Sequence, residues 1–286
     1  IDRAADVTER FGGAIFRQMT DLLEAVDAVS IVSPTTTHAA VAHRALDFGL
    51  HLLVEKPMTA SVAEAHCLVD RANEIGRVLL VGHVERFNPT VLELQRLIAD
   101  KRVRRVALRR IAPFNNRCLD TDVVSDLMIH DIDLVRSLFG SHIRSIAAQG
   151  EAVCTEHIDQ ALVELTLTDG PQVSLIASRV GELHTREIDV TMEGSCVLAD
   201  LLHRTITITS VESPAGRSVT GQYTVPPAEP LRLELQHFLD CIDGRETPRI
   251  DADAGLQAIE WVERIDNLIR HRNATQLAEV QVGGLH

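Results

Sequence analysis

Cationic residues, cysteines and long hydrophobic runs are all scarce in this sequence, and each scarcity excludes a class of protein. The 286 residues include 28 lysines and arginines against 41 aspartates and glutamates, which gives a formal net charge of −13. This balance argues against nucleic acid or an anionic membrane surface as the main partner. No apolar run approaches the ~20 residues that a membrane-spanning helix needs. We therefore expect neither nucleic acid nor a membrane among the partners.

The five cysteines are scattered through the chain and form no CxxC pair. They are Cys67, Cys118, Cys154, Cys196 and Cys241. Such spacing favours reduced thiols in a cytoplasm over disulfides or a zinc site. We therefore predict a cytoplasmic protein with no bound metal. The length and an apolar fraction of 45% are sufficient for two well-packed domains.

The first part of the chain alternates short apolar runs with helical patterns, which is typical of a parallel sheet wrapped by helices. The predicted strands are Ala28–Val32, His51–Val54 and Val78–Val81, with a weaker candidate at Ala14–Phe16. The predicted helices lie near Ala4–Phe11, His38–Phe48 and Ser61–Ile75. Ser61 and Glu64 form a capping box for the last helix. The pattern predicts an α/β fold with a doubly wound, Rossmann-type domain over residues 1–87.

The glycine-rich phosphate loop of such a domain is absent from the sequence. A Rossmann domain normally opens with a strand and a GxGxxG turn, whereas this chain starts at Ile1 and contains no GxGxxG. We therefore expect a strand, phosphate loop and helix of roughly 30 residues to precede this segment in the native protein. The domain is predicted to be a truncated Rossmann sheet.

In that alignment Asp2 stands at the end of the second Rossmann strand, where an acidic residue binds the adenosine ribose. Its charge would repel the extra phosphate of NADP, so NAD is the favoured cofactor and NADP the alternative. Arg3 beside it weakens that preference. A plain polar strand end explains the Asp2-Arg3 pair equally well.

Two polar segments follow predicted strands at their carboxyl ends, where open α/β sheets bind ligands. The first contains the candidate cofactor contacts Ser33, Pro34, Thr35 and His38, for which helix capping is the alternative explanation. The second reads Glu55-Lys56-Pro57, and all three are candidate cofactor contacts. The rigid proline can aim the lysine ammonium into the cleft. An ordinary surface lysine is the alternative.

A third polar segment, Gly82–Pro89, follows the strand Val78–Val81. Pro89 is predicted to start a helix with Asn88 as its N-cap. Arg86 and Asn88 are candidate substrate contacts, and a pair between Arg86 and Glu85 is the alternative for the arginine.

Residues 88–286 are predicted to form a second, α+β domain with a large, mostly antiparallel sheet. Strand patterns occupy Val103–Ile111 and much of Arg144–Val225, and Asp169-Gly170 predicts a hairpin with a tight primed turn. Helices are expected at Leu231–Ile242 and Ala252–Arg270. Because such a sheet leaves one face open, we expect a homodimer or homotetramer that covers it.

The segment Asp122–Asp133, which reads DVVSDLMIHDID, is the predicted chemical centre. As a helix it places Asp122, Asp126, His130 and Asp133 within an arc of roughly 80°. A carboxylate one turn before an imidazole can fix the ring's orientation, and histidine suits proton exchange near neutral pH. A solvated acidic helix face is the competing interpretation. Asp131 turns toward the apolar side, so it needs a partner, which the sequence does not identify, or lies near a helix irregularity.

Taken in order, the Thr35–His38 turn, Glu55-Lys56-Pro57, Gly82–Pro89 and the Asp126–Asp133 helix resemble the Gfo/Idh/MocA family of NAD(P)-dependent sugar oxidoreductases. The resemblance covers the whole chain. It implies a Rossmann domain followed by an α/β domain whose open sheet often forms an oligomer interface. Met128 stands where the family has glycine, which implies a narrower pocket or an altered helix.

The resemblance also implies that Lys56, Asp126 and His130 line the site where a sugar hydroxyl meets the nicotinamide. His130 would take the hydroxyl proton while the carbon passes hydride to NAD, and Lys56 would hold the developing alkoxide. Asp126 would orient the sugar or His130. The resemblance therefore makes all three candidate catalytic residues, with Asp126 and His130 also contacting the substrate.

Two segments, VGHVERFNP and DLMIHDID, resemble a bacterial branch of the family that oxidises the 3-hydroxyl of UDP-N-acetylglucosamine. The expected substrate is therefore a sugar or nucleotide sugar. Another sugar or inositol dehydrogenase is one alternative. A nucleotide-sensing regulator that binds the cofactor without turnover is the other.

Overall fold

A computed structural model describes residues 2–115, 121–212 and 217–283. The side chains of residues 2, 212, 217 and 275–283 are outside that description, as is Cys118. The predicted role of Asp2 therefore concerns a side chain outside the described residues, while Arg3 is exposed.

The amino-terminal part builds a parallel sheet of three strands in the order β1-β2-β3. Its elements are α1 (Asp2–Phe11), α2 (Met19–Leu23), β1 (Ala28–Ile31), α3 (Thr35–Asp47), β2 (His51–Glu55), α4 (Val62–Glu74) and β3 (Leu79–Gly82). Parallel neighbours require helical crossovers, and α3 and α4 supply them. The Ser61 side chain accepts a hydrogen bond from the Glu64 amide, which confirms the predicted helix start.

The weak strand predicted at Ala14–Phe16 is wrong. Residues 12–16 have no regular structure, and none of the described strands pairs with them. Ile15 and Phe16 are 43% and 39% exposed. An apolar run without a hydrogen-bonding neighbour and a core to cover does not form a strand.

The rest of the chain builds a second sheet and further helices. A 3₁₀ turn (Val84–Phe87), α5 (Pro89–Ile98), β4 (Val103–Ile111), a π-helical turn (Val124–Met128) and α6 (Ile129–Phe139) come first. There follow β5 (Ile143–Glu151), β6 (Gln160–Leu167), β7 (Gln172–Ser178), β8 (Thr185–Met192), β9 (Ser195–Asp200), β10 (Thr205–Glu212) and β11 (Arg217–Thr224). The helices α7 (Pro230–Ile242) and α8 (Ala252–Gly283) complete the fold.

The second sheet has eight strands in the order β11-β10-β9-β8-β4-β7-β6-β5. Its neighbours are antiparallel apart from β4 and β7. Alternate residues of β6 and β7, such as Val163, Leu165 and Leu175, are buried under the helices, while the residues between them face outward. The predicted mostly antiparallel sheet with one open face is therefore confirmed.

The predicted hairpin joins β6 to β7, but its turn differs from the prediction. Residues 168–171 connect the strands, and the Leu167 amide donates to the Pro171 carbonyl. Gly170 does not have a positive φ, which a type I′ turn requires of both central residues. Pro171 in the connection fixes its own φ at a negative value.

The last two helices pack against the first sheet, and α8 also contacts the second. Phe238 and Cys241 of α7 pack against Leu53 and Leu80 of the first sheet. The start of α8 approaches β3 closely at Gly255, where a Cβ atom would lie 2.5 Å from Val81 Cγ2. Any side chain there would force Val81 or α8 to move, so glycine permits this close approach of α8 to β3.

Candidate active site

A cleft of about 720 Å³ opens at the carboxyl ends of β1 and β2. The first sheet contributes residues 33–36 and the loop from Lys56 to Val62. The second part contributes Thr121, Ser125, Asp126, Ile129 and one face of α8, made of Ile259, Val262, Glu263, Asp266, Asn267 and Arg270. The carboxyl ends of parallel strands are where open α/β sheets bind ligands. The predicted contacts Ser33, Pro34, Thr35, Lys56 and Pro57 thus lie together in one cleft.

Lys56 and Asp126 are in direct contact across this cleft. Lys56 Nζ donates to the backbone carbonyl of Asp126 at 2.7 Å and to its Oδ1 at 3.0 Å. The two side chains are only 17% and 23% exposed. Lys56 is therefore a fixed cation of the cleft and not a surface lysine.

The segment around Asp126 is not the regular helix that the spacing predicted. Val124–Met128 is π-helical and passes into α6 at Ile129. Single π-helical turns are typical of functional sites, because they displace backbone groups from the α-helical pattern. Here the Asp126 carbonyl bonds to Lys56. Met128, at the family's glycine position, is fully buried in the core of the second part and does not line the cleft.

His130 is the second residue of α6, which follows the π-helical turn directly, and it is not among the residues that line the cleft. Its Nδ1 is buried and has no hydrogen-bond partner in the described part of the chain. Burial lowers the pKa of His130 well below its ordinary value, and the charges of Arg110 and Lys56 lower it further. The ring is therefore neutral at neutral pH, as a proton acceptor must be.

Of the two roles predicted for Asp126, orienting the sugar stays a prediction, whereas the contact with His130 is not found. The spacing suggested that Asp126 orients the His130 ring, but the Asp126 carboxylate binds Lys56 and no described group binds His130 Nδ1. The wider π-helical turn rotates Asp126 relative to the α-helical residues that follow.

The remaining acidic residues of the segment bind internal partners, so it is not a solvated helix face. Asp122 is 7% exposed and accepts from the Ile158 amide and from Arg270. Asp133 is 1% exposed and accepts from Arg86.

Asp131 has the partner that the sequence left unidentified. It is 3% exposed, and Arg110 of β4 donates to it at 2.7 Å through Nη2. The Nη1 group of Arg110 donates to Glu85 at 2.9 Å. Arg186 approaches the same Glu85 oxygen at 3.5 Å. This buried ion-pair cluster joins the 3₁₀ turn, the second sheet and α6 behind His130.

Three predicted ligand contacts have internal roles instead. Arg86 pairs with Asp133 and donates to the Arg249 carbonyl, so it neither pairs with Glu85 nor has its donors directed into the cleft. Asn88 caps α5 by accepting from the Thr90 amide and donates to Glu85. His38 is 1% exposed, and its ring nitrogens contact the carbonyls of Ser33 and Pro57. His38 therefore ties the two cleft loops together.

Glu55, also predicted as a cofactor contact, lies behind the cleft rather than in it. Its Oε2 accepts from the backbone amide of Lys56, and it is not among the residues that line the cleft. Gly82 of the neighbouring strand packs against it, since a Cβ there would lie 3.1 Å from the Glu55 carboxyl.

Two residues near the site were missed from the sequence. His83 follows β3 directly, is 1% exposed, and has an unpartnered Nδ1 within the described structure. Burial lowers its pKa to about 4. Asp266 lines the cleft from α8, where burial and the charge of Asp122 raise its pKa to about 7. The strand-end position could have identified His83, but no local signal distinguishes Asp266 from other polar residues of α8.

Among the described residues, no group of histidine, cysteine and acidic side chains has the arrangement of a metal site. The same part of the chain contains no helix long and apolar enough to cross a membrane. Cys67, Cys154, Cys196 and Cys241 are free thiols.

A parallel sheet with a fixed lysine at its carboxyl edge, and a neutral histidine on a helix of the second part, is the arrangement expected of a dinucleotide-dependent oxidoreductase. The sequence agrees with this class over most of its length. Residues 1–83 match the model of the oxidoreductase family with an NAD-binding Rossmann fold, and residues 92–195 match the GFO/IDH/MocA carboxyl-terminal domain. The chain belongs to the GFO/IDH/MocA family of oxidoreductases.

Several relatives have known activities. UDP-N-acetylglucosamine 3-dehydrogenase from Acidithiobacillus ferrooxidans is 34% identical over 90% of this chain and 83% of its own length. A solved structure of that enzyme superposes with a TM-score of 0.86 over 94% of this chain and 86% of its own. The NAD-dependent scyllo-inositol 2-dehydrogenase from Bacillus subtilis is 28% identical over 80% of this chain and 71% of its own length.

Proposed function

We propose that this protein oxidises the 3-hydroxyl of UDP-N-acetylglucosamine to a ketone, with NAD rather than NADP as the hydride acceptor. The Lys56–Asp126 pair beside the neutral His130 is the observation that carries the proposal. The 34% identity to an enzyme named for this substrate supports the choice of sugar.

The residues of the cleft fit a nicotinamide cofactor with an alcohol substrate. Residues 33–36, Lys56 and Pro57 would hold the cofactor at the strand ends. When bound, NAD accepts the hydride that leaves the alcohol carbon. His130 has an unprotonated ring nitrogen with which it accepts the hydroxyl proton. Lys56, held by Asp126, stabilises the negative charge that develops on the oxygen.

The test is NADH absorbance after mixing the protein with NAD and either UDP-N-acetylglucosamine or scyllo-inositol. Lys56→Ala and His130→Ala are compared with Lys101→Ala, which removes an exposed lysine outside the cleft. We expect turnover of the nucleotide sugar, at least 100-fold less of it in Lys56→Ala and His130→Ala, and no change in the control. Turnover of the inositol alone would refute the assigned sugar. NAD binding without turnover of a wider sugar panel would favour a sensor.

We also propose that the open face of the second sheet is covered by another copy, in a homodimer or homotetramer. Partly exposed apolar residues such as Leu162 and Ile176 lie on that face. Light scattering should give two or four times the mass of a single chain. Ile176→Lys should lower the measured mass, and a monomeric wild-type protein would refute the proposal.

A further inference from the structure

The wall of the cleft formed by α8 carries polar groups that the hydride chemistry does not use. Asp266 and Arg270 lie one turn apart on α8, and both line the cleft. The Arg270 side chain is 66% exposed, and Nη2 donates to Asp122 Oδ2 at 2.8 Å. A guanidinium has five N–H donors. Arg270 is thus held along one edge and keeps donors for a ligand.

Arg270 pairs with Asp122 and gives no hydrogen bond to Asp266 Oδ1. Both oxygens of Asp122 are used, one by Arg270 and the other by the Ile158 amide at 2.7 Å, and His157 Nδ1 lies 3.7 Å from that second oxygen. Asp266 Oδ1 is buried and has no hydrogen-bond partner in the described structure. Burial and then the charge of Asp122 raise the pKa of Asp266 to about 7, against the opposing charge of Arg270. Near neutral pH a large fraction of Asp266 is an uncharged hydrogen-bond donor.

The other charged residues of the cleft are either paired or screened by solvent, so Arg270 is the cation that can bind a ligand. Lys56 and Asp126 bind each other at the reacting end of the cleft. Glu263, one turn before Asp266 on α8, is exposed, so solvent screens its charge. Among the described cleft residues, Arg270 is therefore the cation outside the reacting centre. Planar guanidinium groups bind phosphate oxygens well, and a neutral carboxyl beside one does not repel them.

We infer that Asp266 and Arg270 form the subsite for the diphosphate of a nucleotide-linked sugar. Arg270, oriented by Asp122, donates to phosphate oxygens, and the protonated Asp266 donates one more hydrogen bond to the same group. This inference rests on the proposed function, because it takes a nucleotide sugar as the substrate. Asp266 and Arg270 would then distinguish a nucleotide sugar from a free sugar or inositol.

The test is calorimetric titration of UDP-N-acetylglucosamine into protein saturated with NADH. NADH cannot accept a hydride, so binding is measured without turnover. Arg270→Gln should weaken binding about 10- to 100-fold, the effect of losing hydrogen bonds between charged groups. Arg264→Gln is the matched control, since Arg264 is an exposed arginine on another face of α8. It should bind like the wild type.

The role of Asp266 is tested by the pH dependence of the same titration. Wild-type affinity should fall as pH rises from 6 to 8.5, because Asp266 loses its proton and repels the diphosphate. Asp266→Asn stays uncharged, so its affinity should stay high and vary little over this range. Wild-type affinity in Arg270→Gln would overturn the subsite, as would an unchanged pH dependence in Asp266→Asn.

Two further outcomes separate the inference from the proposed function. Weaker NADH binding in Arg270→Gln, with sugar binding intact, would place the residue in the cofactor site and overturn the inference alone. Failure of the NADH-loaded wild type to bind UDP-N-acetylglucosamine would overturn both.

Discussion

Replacing Glu234 with glutamine should stabilise the protein increasingly as pH rises. Glu234 lies on α7, is 2% exposed, and neither of its carboxyl oxygens has a hydrogen-bond partner among the described residues. Burial, with a smaller contribution from the charge of Glu55, raises its pKa to about 8. Desolvation penalises the charged form, so the folded state holds the proton that the unfolded chain releases near pH 4.5.

The sign and size of the effect follow from this difference in pKa. Below pH 4.5 the carboxyl is protonated in both states and its stabilising contribution is fully present. The contribution falls as pH rises and is lost as pH passes through about 8. At about 1.4 kcal/mol per pH unit, the free energy of unfolding falls by about 3 kcal/mol by pH 7 and by at most about 5 kcal/mol above pH 8. Glutamine has no such dependence.

Urea unfolding between pH 5 and 9 measures the difference in stability between the wild type and Glu234→Gln. The free energy of unfolding of Glu234→Gln should equal that of the wild type near pH 5 within about 1 kcal/mol and exceed it by several kcal/mol at pH 8.5. Glu229→Gln, an exposed change just before α7, is the control and should follow the wild type. Parallel wild-type and Glu234→Gln curves over the whole range would refute the argument.

Three other predictions concern the site and its supports. Arg110→Met should lower the free energy of unfolding by about 3 to 5 kcal/mol in urea titrations, because Asp131 and Glu85 would remain buried without their cation; a loss below 1 kcal/mol would contradict this. Gly255→Ala should cost about 1 to 3 kcal/mol in the same assay, since its Cβ would meet Val81; unchanged stability would be inconsistent with the close approach. The pH profile of kcat/KM should show no loss from protonation of His130 near pH 6.5, because its pKa lies well below that value; an inflection at 6.5 that disappears in His130→Ala would count against the assignment.

Local signals in the sequence predicted most of the regular structure. The Ser61 cap and the Asn88 cap depend on contacts within a few residues, and the structure has both. The Lys56 position was predictable for the same reason, since proline and the strand end are adjacent to it. Ala14–Phe16 was misassigned because a strand also needs a neighbour, which a local pattern does not reveal.

The parts that were not predictable depend on residues far apart in the chain. Arg110 and Asp131 are separated by 21 residues, and β4 and α6 bring them together. The π-helical turn at Val124–Met128 has the same apolar pattern as an α-helix, so its effect on Asp126 could not be read from spacing. Asp266 enters the cleft only because α8 passes between the two sheets.

In the proposed reaction a hydride leaves carbon 3 of UDP-N-acetylglucosamine in this cleft. The most direct measurement uses substrate deuterated at carbon 3 and mass spectrometry of the NADH that forms. We expect NADH that carries one deuterium, and at least 100-fold less of it with Lys56→Ala. NADH without deuterium, or none at all from a protein that binds both ligands, would contradict it.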